Sequence, residues 1–328
     1  MALSRASEVA EAIRTYPGVS RKSAISGVTS KLPTDGFAHV IAAEGEDAAV
    51  LDYGEFCVLF AADGIMESLV RDAPYYAGYF GVLVNVNDIA AMGGRAMGMT
   101  DVLSISDKAV RDEVLRGMAE GVRQFGVPFV GGHTHPDCGY NALDVSVVGK
   151  VAKEDVMLSS TARPGDDIVM VSDLAGHYPD AVPYAYVSTE HRSDDIVRRQ
   201  MEAAAEVAER HLAHACKDIS NPGSVGTLGM MMECSGTGCT VDLDRIPRPD
   251  GVDEIRWVTT YQGCGFVFSC SPENSAEIIS IFEAVSCSGA VVGRVDDTGV
   301  MRLEAEGESS VVFDFSKDVI TGIRSKKR

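Results

Sequence analysis

The chain has 328 residues, of which 45% are hydrophobic and 23% are charged, a balance that is typical of folded globular proteins and not of disordered or fibrous ones. Its length favours two domains that each bury a core. The formal net charge of −19 creates a field that repels polyanions, so we do not expect nucleic acid as a partner, despite a short basic run at residues 324–328. An acidic protein can still bind an anionic nucleotide through a divalent cation, although solubility alone also explains the acidic surplus.

The distribution of apolar residues argues against a membrane protein. No apolar stretch approaches the roughly 20 residues of a membrane-spanning helix, and the first residues lack the apolar core of a signal peptide. We therefore expect a cytoplasmic protein with no membrane partner. The eight cysteines form no C-x-x-C pair, which predicts reduced core residues. A redox or metal pair, formed by Cys234 with Cys239 or by Cys264 with Cys270, is the alternative.

The first half of the chain shows periodic apolar segments separated by turn residues. In chain order they predict a helix at 7–15, a mobile loop at 16–31, a strand at 37–44, hairpin strands at 48–51 and 56–61, a helix at 76–92, a strand at 97–105, a helix capped by Ser106 and running to about residue 125, a buried strand at 127–130, and a strand at 143–151. The helix at 76–92 is apolar almost all round, which predicts burial on every side. Its polar members, Asn85, Asn87 and Asp88, then need partners.

A charged connector near residue 153 separates the two halves, and it predicts an N-terminal domain of residues 1–153 and a C-terminal domain of residues 154–328. In chain order the second half predicts a strand at 168–171, a helix from Ser193 to about residue 215, a helix at 224–234, a strand at 240–243, an apolar segment at 258–269, a helix at 272–286 and a strand at 290–295. This mixture of elements is typical of an α+β fold.

Four carboxylates lie at the edges of apolar elements, where an unpaired charge is costly. They are Asp47, Asp63, Asp88 and Asp218. Carboxylates that converge from separate elements suit Mg²⁺, a hard cation that commonly joins protein acids to substrate phosphates. A cap or turn role is the simpler explanation for Asp47, Asp63 and Asp218 taken singly. Asp88 interrupts an apolar helix and has no such explanation, which favours a ligand or network role for it.

Four motifs follow one another along the chain and carry a resemblance to a known superfamily. They are Gly45-Glu46-Asp47, Ala62-Asp63-Gly64, Asn87-Asp88-Ile89-Ala90-Ala91-Met92-Gly93-Gly94 and Gly131-Gly132-His133-Thr134. In this order they resemble the aminoimidazole ribonucleotide (AIR) synthetase-like, or PurM-like, superfamily, which includes thiamine-monophosphate kinase and selenophosphate synthetase. The resemblance spans roughly residues 40–295. Within the superfamily, residues 218–223 and 230–233 are most similar to the AIR synthase-related proteins of methanogenic archaea, the group called methanogenesis marker protein 2.

The resemblance implies an N-terminal mixed-sheet ATP-binding domain that dimerises and a C-terminal α/β-sandwich domain. It implies ATP at the seam of a homodimer and Mg²⁺ as cofactors, with the metal held by residues that match Asp47, Asp63, Asp88 and Asp218, assisted by Glu46. The nucleotide-binding candidates are Gly131, Gly132, His133, Thr134, Asn87 and Lys22. Missing side chains at the two glycines would let backbone N–H groups reach phosphate.

The predicted function is that of an ATP- and Mg²⁺-dependent kinase or synthetase that activates a small metabolite by phosphoryl transfer. A non-catalytic ATP-binding maturation or regulatory protein is one alternative, and a thiamine-monophosphate kinase-like or selenophosphate synthetase-like activity is another. Residues 218–222 depart from the thiamine-monophosphate kinase motif, and residues 16–31 contain no cysteine, which argues against selenium chemistry. A further alternative is a Zn²⁺ hydrolase built on His133, His135, Asp137 and Cys138.

Overall fold

The computed structural model describes residues 3–32, 34 and 36–324, and these residues build two mixed β-sheets with helices packed around them. Residues 325–328, most of the basic run at the end of the chain, lie outside the described residues. No helix in the described part of the chain has the length and apolar character needed to cross a membrane.

The first sheet has six strands in the order β1-β2-β3-β6-β4-β5, and all neighbours are antiparallel except β4 and β5. Its strands are β1 Val40–Ala42, β2 Ala49–Asp52, β3 Phe56–Ile65, β4 Arg95–Ser104, β5 Phe129–His135 and β6 Ala142–Ala152. The helices of this half are α1 Arg5–Thr15, α2 Pro17–Ser20, α3 Ala24–Thr29, α4 Glu67–Asp72, α5 Pro74–Ala91 and α6 Lys108–Phe125. The predicted hairpin of β2 and β3 is confirmed, as are the strands β4 and β6.

The second sheet has seven strands in the order β15-β14-β10-β13-β7-β12-β9, with β10 and β14 parallel. Its strands are β7 Asp167–Ser172, β9 Ala215–Asp218, β10 Gly238–Asp242, β12 Gly265–Cys270, β13 Ser288–Asp296, β14 Val300–Ala305 and β15 Glu308–Asp314, and β8 Ala185–Tyr186 pairs separately with β11 Tyr261–Gln262. The helices are α7 Asp194–Glu209, α8 Gly223–Ser235, α9 Glu254–Val258 and α10 Ser275–Glu283. Two mixed sheets with flanking helices confirm the α+β fold class.

The position of α1 bears on the expected domain division. Residues on one face of α1, including Val9 and Ile13, are buried in the core of the second sheet, against β14 and β15. The first strands of the other sheet begin only at Val40. The division into residues 1–153 and 154–328 stays a prediction. Helix α1 belongs to the first of these ranges by sequence, but it packs in the core of the second sheet.

Helix α5 lies at the centre of the molecule. It starts with Pro74 at its first turn and is buried along most of its length, as its apolar pattern predicts. One side packs on β3 and β6, and others contact α6, α7 and β9. Helix α6 approaches so closely that a Cβ on Gly78 would overlap the carbonyl of Val114, and one on Gly117 would overlap that of Tyr75. Glycine at both positions therefore lets the two helix backbones touch.

Several sequence expectations in the first half are wrong. Residues 16–31 are not a loop but contain α2, a 3₁₀ turn at Arg21–Ser23 and α3. Helix α6 is capped by Asp107 rather than Ser106, because the Asp107 carboxylate accepts hydrogen bonds from the backbone N–H groups of residues 109 and 110. The strand expected to be buried at 127–130 is the edge strand β5, in which Val130 is 70% exposed.

Differences in the second half concern the ends of elements. The helix expected to reach residue 215 ends at Glu209, and Ala215 instead begins β9. Val258 ends α9, so the apolar segment at 258–269 is a helix end followed by two strands. The hairpin of β14 and β15 was not predicted at all.

Candidate functional site

Three of the four predicted acids meet at one point. One carboxylate oxygen from each of Asp47, Asp88 and Asp218 lies within 4.8 Å of the others. These acids line a cavity of about 350 Å³ between the two sheets, and Asp63 lines the same cavity. They reach it from separate elements: a turn before β2, the end of β3, the last turn of α5 and the last residue of β9. We call these four residues the acid group.

The carboxyl groups of the acid group are buried close together, and this raises the pKa values of two of them. Burial, followed by the charges of Asp63, Asp218 and Asp47, raises the pKa of Asp88 well above its ordinary value. Burial, followed by the charge of Asp47, raises the pKa of Asp218 to about 8. A divalent cation among these oxygens would reverse the local field and keep the carboxylates ionised.

The donor atoms of the acid group fit a hard cation. All of them are carboxylate oxygens, the ligands that suit Mg²⁺. Asp47 Oδ2 is buried and has no hydrogen-bond partner within the described residues. Buried polar atoms are nearly always paired, so this oxygen is open for a ligand. Asp88 keeps part of its surface open towards the cavity.

Among the described residues, Lys217 is the one buried cation in contact with the acid group, and the sequence did not single it out. It precedes Asp218 on β9, and its ammonium forms an ion pair with Asp47 Oδ1. Burial favours the neutral amine, but the charge and hydrogen bond of Asp47 outweigh it and raise the pKa of Lys217. The burial of β9 along its whole length is known only from the structure, so the sequence offered no signal for this lysine.

Lys22 reaches the cavity from the helical segment at its rim. It lies in the 3₁₀ turn Arg21–Ser23, lines the cavity, and its positive charge acts on Asp218. This segment sits close to the turn before α8, where a Cβ on Gly18 would overlap the carbonyl of Asn221. Ordered helical turns, rather than a mobile loop, therefore hold Lys22 near the acids.

Glu46 has partners other than the acid group. Its Oε2 accepts hydrogen bonds from the Ser159 hydroxyl at 2.8 Å and the Ser159 backbone, and its Oε1 accepts from the Ser160 hydroxyl at 2.7 Å. Gly45 precedes it with φ of +85°, a left-handed conformation that glycine adopts readily, and this turn directs Glu46 and Asp47 to different partners. Glu46 ties the turn to the second half, and its role as a metal ligand stays a prediction.

Asn87, unlike Glu46, does not line the cavity. Its side chain is buried, its Nδ2 donates to the Gly263 carbonyl at 3.2 Å, and its Oδ1 has no partner within residues 3–32, 34 and 36–324. Asn87 therefore connects α5 to the turn before β12, and contact with nucleotide stays a prediction.

The glycine-rich motif lies on β5 at the exposed edge of the first sheet. None of its residues lines the cavity of its own chain, and Gly131, Gly132, His133 and Thr134 are all exposed. The rings of His133 and His135 contact each other edge to face at 4.6 Å between centroids. Among the described residues, however, no group of three potential metal ligands includes either histidine, Asp137 or Cys138, so the geometry gives no support to the Zn²⁺ hydrolase.

The chain is similar to known proteins along most of its length. Residues 45–151 match the family model of the AIR synthase related protein N-terminal domain, and residues 163–306 match that of the C-terminal domain. An uncharacterised protein of Methanocaldococcus jannaschii is 43% identical over 319 residues, which cover 96% of this chain and 98% of that protein. The selenide, water dikinase of Trichlorobacter lovleyi is 28% identical over 267 residues, which cover 76% of each.

A solved structure with a nucleotide shares the fold. Thermotoga maritima PurL complexed with ATP matches with a TM-score of 0.70 and 21% identity, over 82% of this chain and 46% of that chain. At this identity the likeness concerns the fold alone. The expected AIR synthetase-like superfamily is confirmed, whereas the methanogenesis marker subgroup stays a prediction because the methanogen relative is itself uncharacterised.

Proposed function

Since this chain belongs to the AIR synthase-related family, we propose that it is an ATP- and Mg²⁺-dependent kinase or synthetase that activates a small metabolite by phosphoryl transfer. The observation that carries the proposal is the acid group: three carboxylates within 4.8 Å in a cavity between the two sheets. Repulsion between carboxylates that lie this close together lowers the stability of the folded chain, and such destabilising groups are typical of functional sites.

In this proposal Asp47, Asp88 and Asp218 hold Mg²⁺, with Asp63 beside them. Bound Mg²⁺ would supply charge neutralisation for the transferred phosphoryl group. Lys217 holds Asp47 in place and keeps one acid neutralised in the absence of ligand. Lys22, half-buried at the rim, binds phosphate oxygens as a point charge. Catalysis would then rest on positioning and electrostatics, with no covalent participation by the chain.

The substrate end of the cavity is lined by aromatic and apolar side chains. Phe80, Tyr184 and Tyr261 line it, and the Tyr261 hydroxyl is buried without a hydrogen-bond partner in the described part of the chain. Burial, followed by the charges of Asp218 and Asp63, raises the pKa of Tyr261 well above its usual value, so it remains a hydrogen-bond donor. A volume of about 350 Å³ suits a small molecule.

The proposal includes a homodimer that completes the nucleotide site. The face of the first sheet turned away from α5 exposes apolar side chains, among them Phe60, Met97 and Val130, at 50%, 53% and 70% exposure. Exposed apolar patches of this kind commonly mark interfaces. Because β5 does not line the cavity of its own chain, we propose that its glycine-rich motif contacts nucleotide bound to a second copy. Cytoplasmic localisation, expected from the sequence, remains part of this proposal.

Calorimetry followed by turnover tests the proposal. ATP should bind tightly only with Mg²⁺, and Asp88→Ala should abolish that dependence, whereas Asp112→Ala, which removes an exposed acid of α6, should not. ADP formation should then appear when the correct small acceptor is added. Binding without turnover for any acceptor would favour the non-catalytic ATP-binding module, and binding that ignores both Mg²⁺ and Asp88→Ala would refute the site.

A further inference from the structure

A second cluster of potential metal ligands lies outside the cavity, in the segment between β7 and α7. One ligand atom from each of His177, Glu190 and His191 lies within 4.8 Å of the others. His177 Nε2 is 3.6 Å from a carboxylate oxygen of Glu190, and the rings of His177 and His191 stack with centroids 4.9 Å apart. None of the three lines the cavity, so the cluster is separate from the acid group.

The backbone brings these side chains together in a defined way. His177 and Val187 exchange two backbone hydrogen bonds, N–H to carbonyl, of 3.2 and 2.8 Å. Glu190 and His191 follow shortly after this bridge. Glu190 also accepts a hydrogen bond of 3.2 Å from the hydroxyl of Tyr76 on α5. The ligand atoms are therefore held by a paired backbone and by a contact with a buried helix, not by a free surface loop.

One atom of the cluster is left without a partner. His177 Nδ1 is buried and makes no hydrogen bond to any described residue. A buried polar atom without a partner requires an explanation, since nearly all such atoms are paired. A neutral imidazole carries a proton on one nitrogen and a lone pair on the other, so a cation at His177 would bind Nδ1 while Nε2, which faces Glu190, keeps the proton.

We propose that His177, Glu190 and His191 bind a divalent transition-metal ion of the zinc type. Two imidazoles and one carboxylate form a donor set that suits Zn²⁺, Co²⁺ or Ni²⁺, whereas Mg²⁺ prefers oxygen ligands only. His191 is exposed, which leaves a position for water on the solvent side. The chemistry of the two clusters therefore separates them: oxygen ligands for a hard cation in the cavity, and mixed nitrogen and oxygen ligands here.

A metal at this position would restrain one wall of the cavity. The chain between His177 and Glu190 contains Tyr184 and Ala185, which line the cavity. Binding at both ends of this segment would limit its motion, because the ion fixes residues that precede and follow the cavity wall. We therefore assign the ion a positioning role for the substrate end of the cavity.

Cobalt binding by untagged, chelator-treated protein tests the proposal. Co²⁺ should give the intense visible absorption of a four- or five-coordinate ion with one equivalent per chain, and Zn²⁺ should displace it. His191→Ala and Glu190→Gln should each weaken Co²⁺ binding by about 100-fold, since even outer partners of metal ligands are worth about 10–100-fold. His191 is exposed, so its replacement should leave the fold intact, which circular dichroism checks.

The matched control is His211→Ala. His211 also faces a carboxylate, with its Nε2 3.8 Å from Asp155, but it belongs to no group of three ligands in the described residues. Its variant should give the same intense Co²⁺ absorption as the wild type, and so should Asp88→Ala, because the acid group is a different site with oxygen ligands only. Equal binding by His191→Ala and His211→Ala, or a weak six-coordinate spectrum alone, would overturn the proposal.

Hydrogen exchange tests the positioning role separately. Zn²⁺ should slow amide exchange across residues 177–191 in the wild type but not in His191→Ala, because ion binding lowers the frequency of local opening. Unchanged exchange despite bound metal would overturn that role. Neither readout involves ATP or Mg²⁺, so the result is independent of whether the proposed phosphoryl transfer is correct.

Discussion

Replacing Asp88 with asparagine should stabilise the unliganded protein while it removes the metal site. Two carboxylates within 4.8 Å of each other repel by about 3 kcal/mol at an effective dielectric constant of about 20. Protonation relieves part of this repulsion, as the raised pKa of Asp88 indicates, so we expect the isosteric Asp88→Asn to gain about 1–2 kcal/mol. For a chain of this size that gain corresponds to a rise in Tm of about 2–6 °C.

The assay is thermal unfolding with and without Mg²⁺. Wild-type protein should gain about 2–3 kcal/mol when Mg²⁺ is present at about 100 times its Kd. Asp88→Asn should gain almost nothing from Mg²⁺, because one of three ligands is gone. Asp112→Asn, which breaks an exposed ion pair with Lys108 worth at most about 0.5 kcal/mol, serves as the control. A lower Tm for unliganded Asp88→Asn, together with an undiminished Mg²⁺ effect, would refute the reasoning.

Three further predictions follow from the same site and from the first sheet. The unfolding free energy of the metal-free protein should fall as the pH rises from about 4 to about 8. Burial and the charge of Asp47 raise the pKa of Asp218 to about 8. In this pH range the folded chain therefore keeps a proton on Asp218 that the unfolded chain releases. Urea unfolding should show this slope flattened in Asp218→Asn, and an identical slope in both proteins would contradict it. Lys217→Met should lower the unfolding free energy by about 3 kcal/mol, because it leaves the buried charge of Asp47 without an ion-pair partner. Mg²⁺ should then add more stability to the variant than to the wild type. An equal Mg²⁺ effect in both proteins would argue against a metal beside Asp47. In analytical ultracentrifugation, Phe60→Glu should convert a dimer to a monomer, whereas Leu115→Glu, at an exposed position of α6, should not. A monomeric wild type would exclude the proposed interface.

The parts of the fold that the sequence predicted are those where apolar periodicity is long and uninterrupted. Helix α5 and the hairpin of β2 and β3 carry such patterns, and both were found. The serine and glycine residues of 16–31 favour a loop, yet contacts such as that of Gly18 with Asn221 hold short helices there. Tertiary packing of this kind leaves no local periodic signal.

The position of β5 at the edge of the first sheet could not be predicted from the sequence either. The apolar run at residues 127–130 gives the same pattern whether its strand lies inside a sheet or at its edge, and only the pairing of β5 with β4 alone decides this. The ends of helices depended on individual caps, such as Asp107 in place of its neighbour Ser106. Ala215 continued the apolar face of α7 by spacing, but the chain had already turned into β9.

The acid group was predicted in part because a charge inside an apolar helix is informative by itself. This feature favours a ligand or network role for Asp88, and the resemblance carried by the ordered motifs implies the same role for Asp47, Asp63 and Asp218. The ion pair of Lys217 with Asp47 could not be predicted, since it joins residues 170 positions apart. The hydrogen bonds of Glu46 to Ser159 and Ser160 belong to the same class of long-range contact.

The most direct test of the account is a crystal structure grown with a nonhydrolysable ATP analogue and Mn²⁺ in place of Mg²⁺. Anomalous scattering from manganese would locate the metal without ambiguity. The account predicts a peak bound by carboxylate oxygens of Asp47, Asp88 and Asp218 and by phosphate oxygens of the analogue. Nucleotide and metal bound elsewhere, with these three carboxylates touching neither, would contradict it.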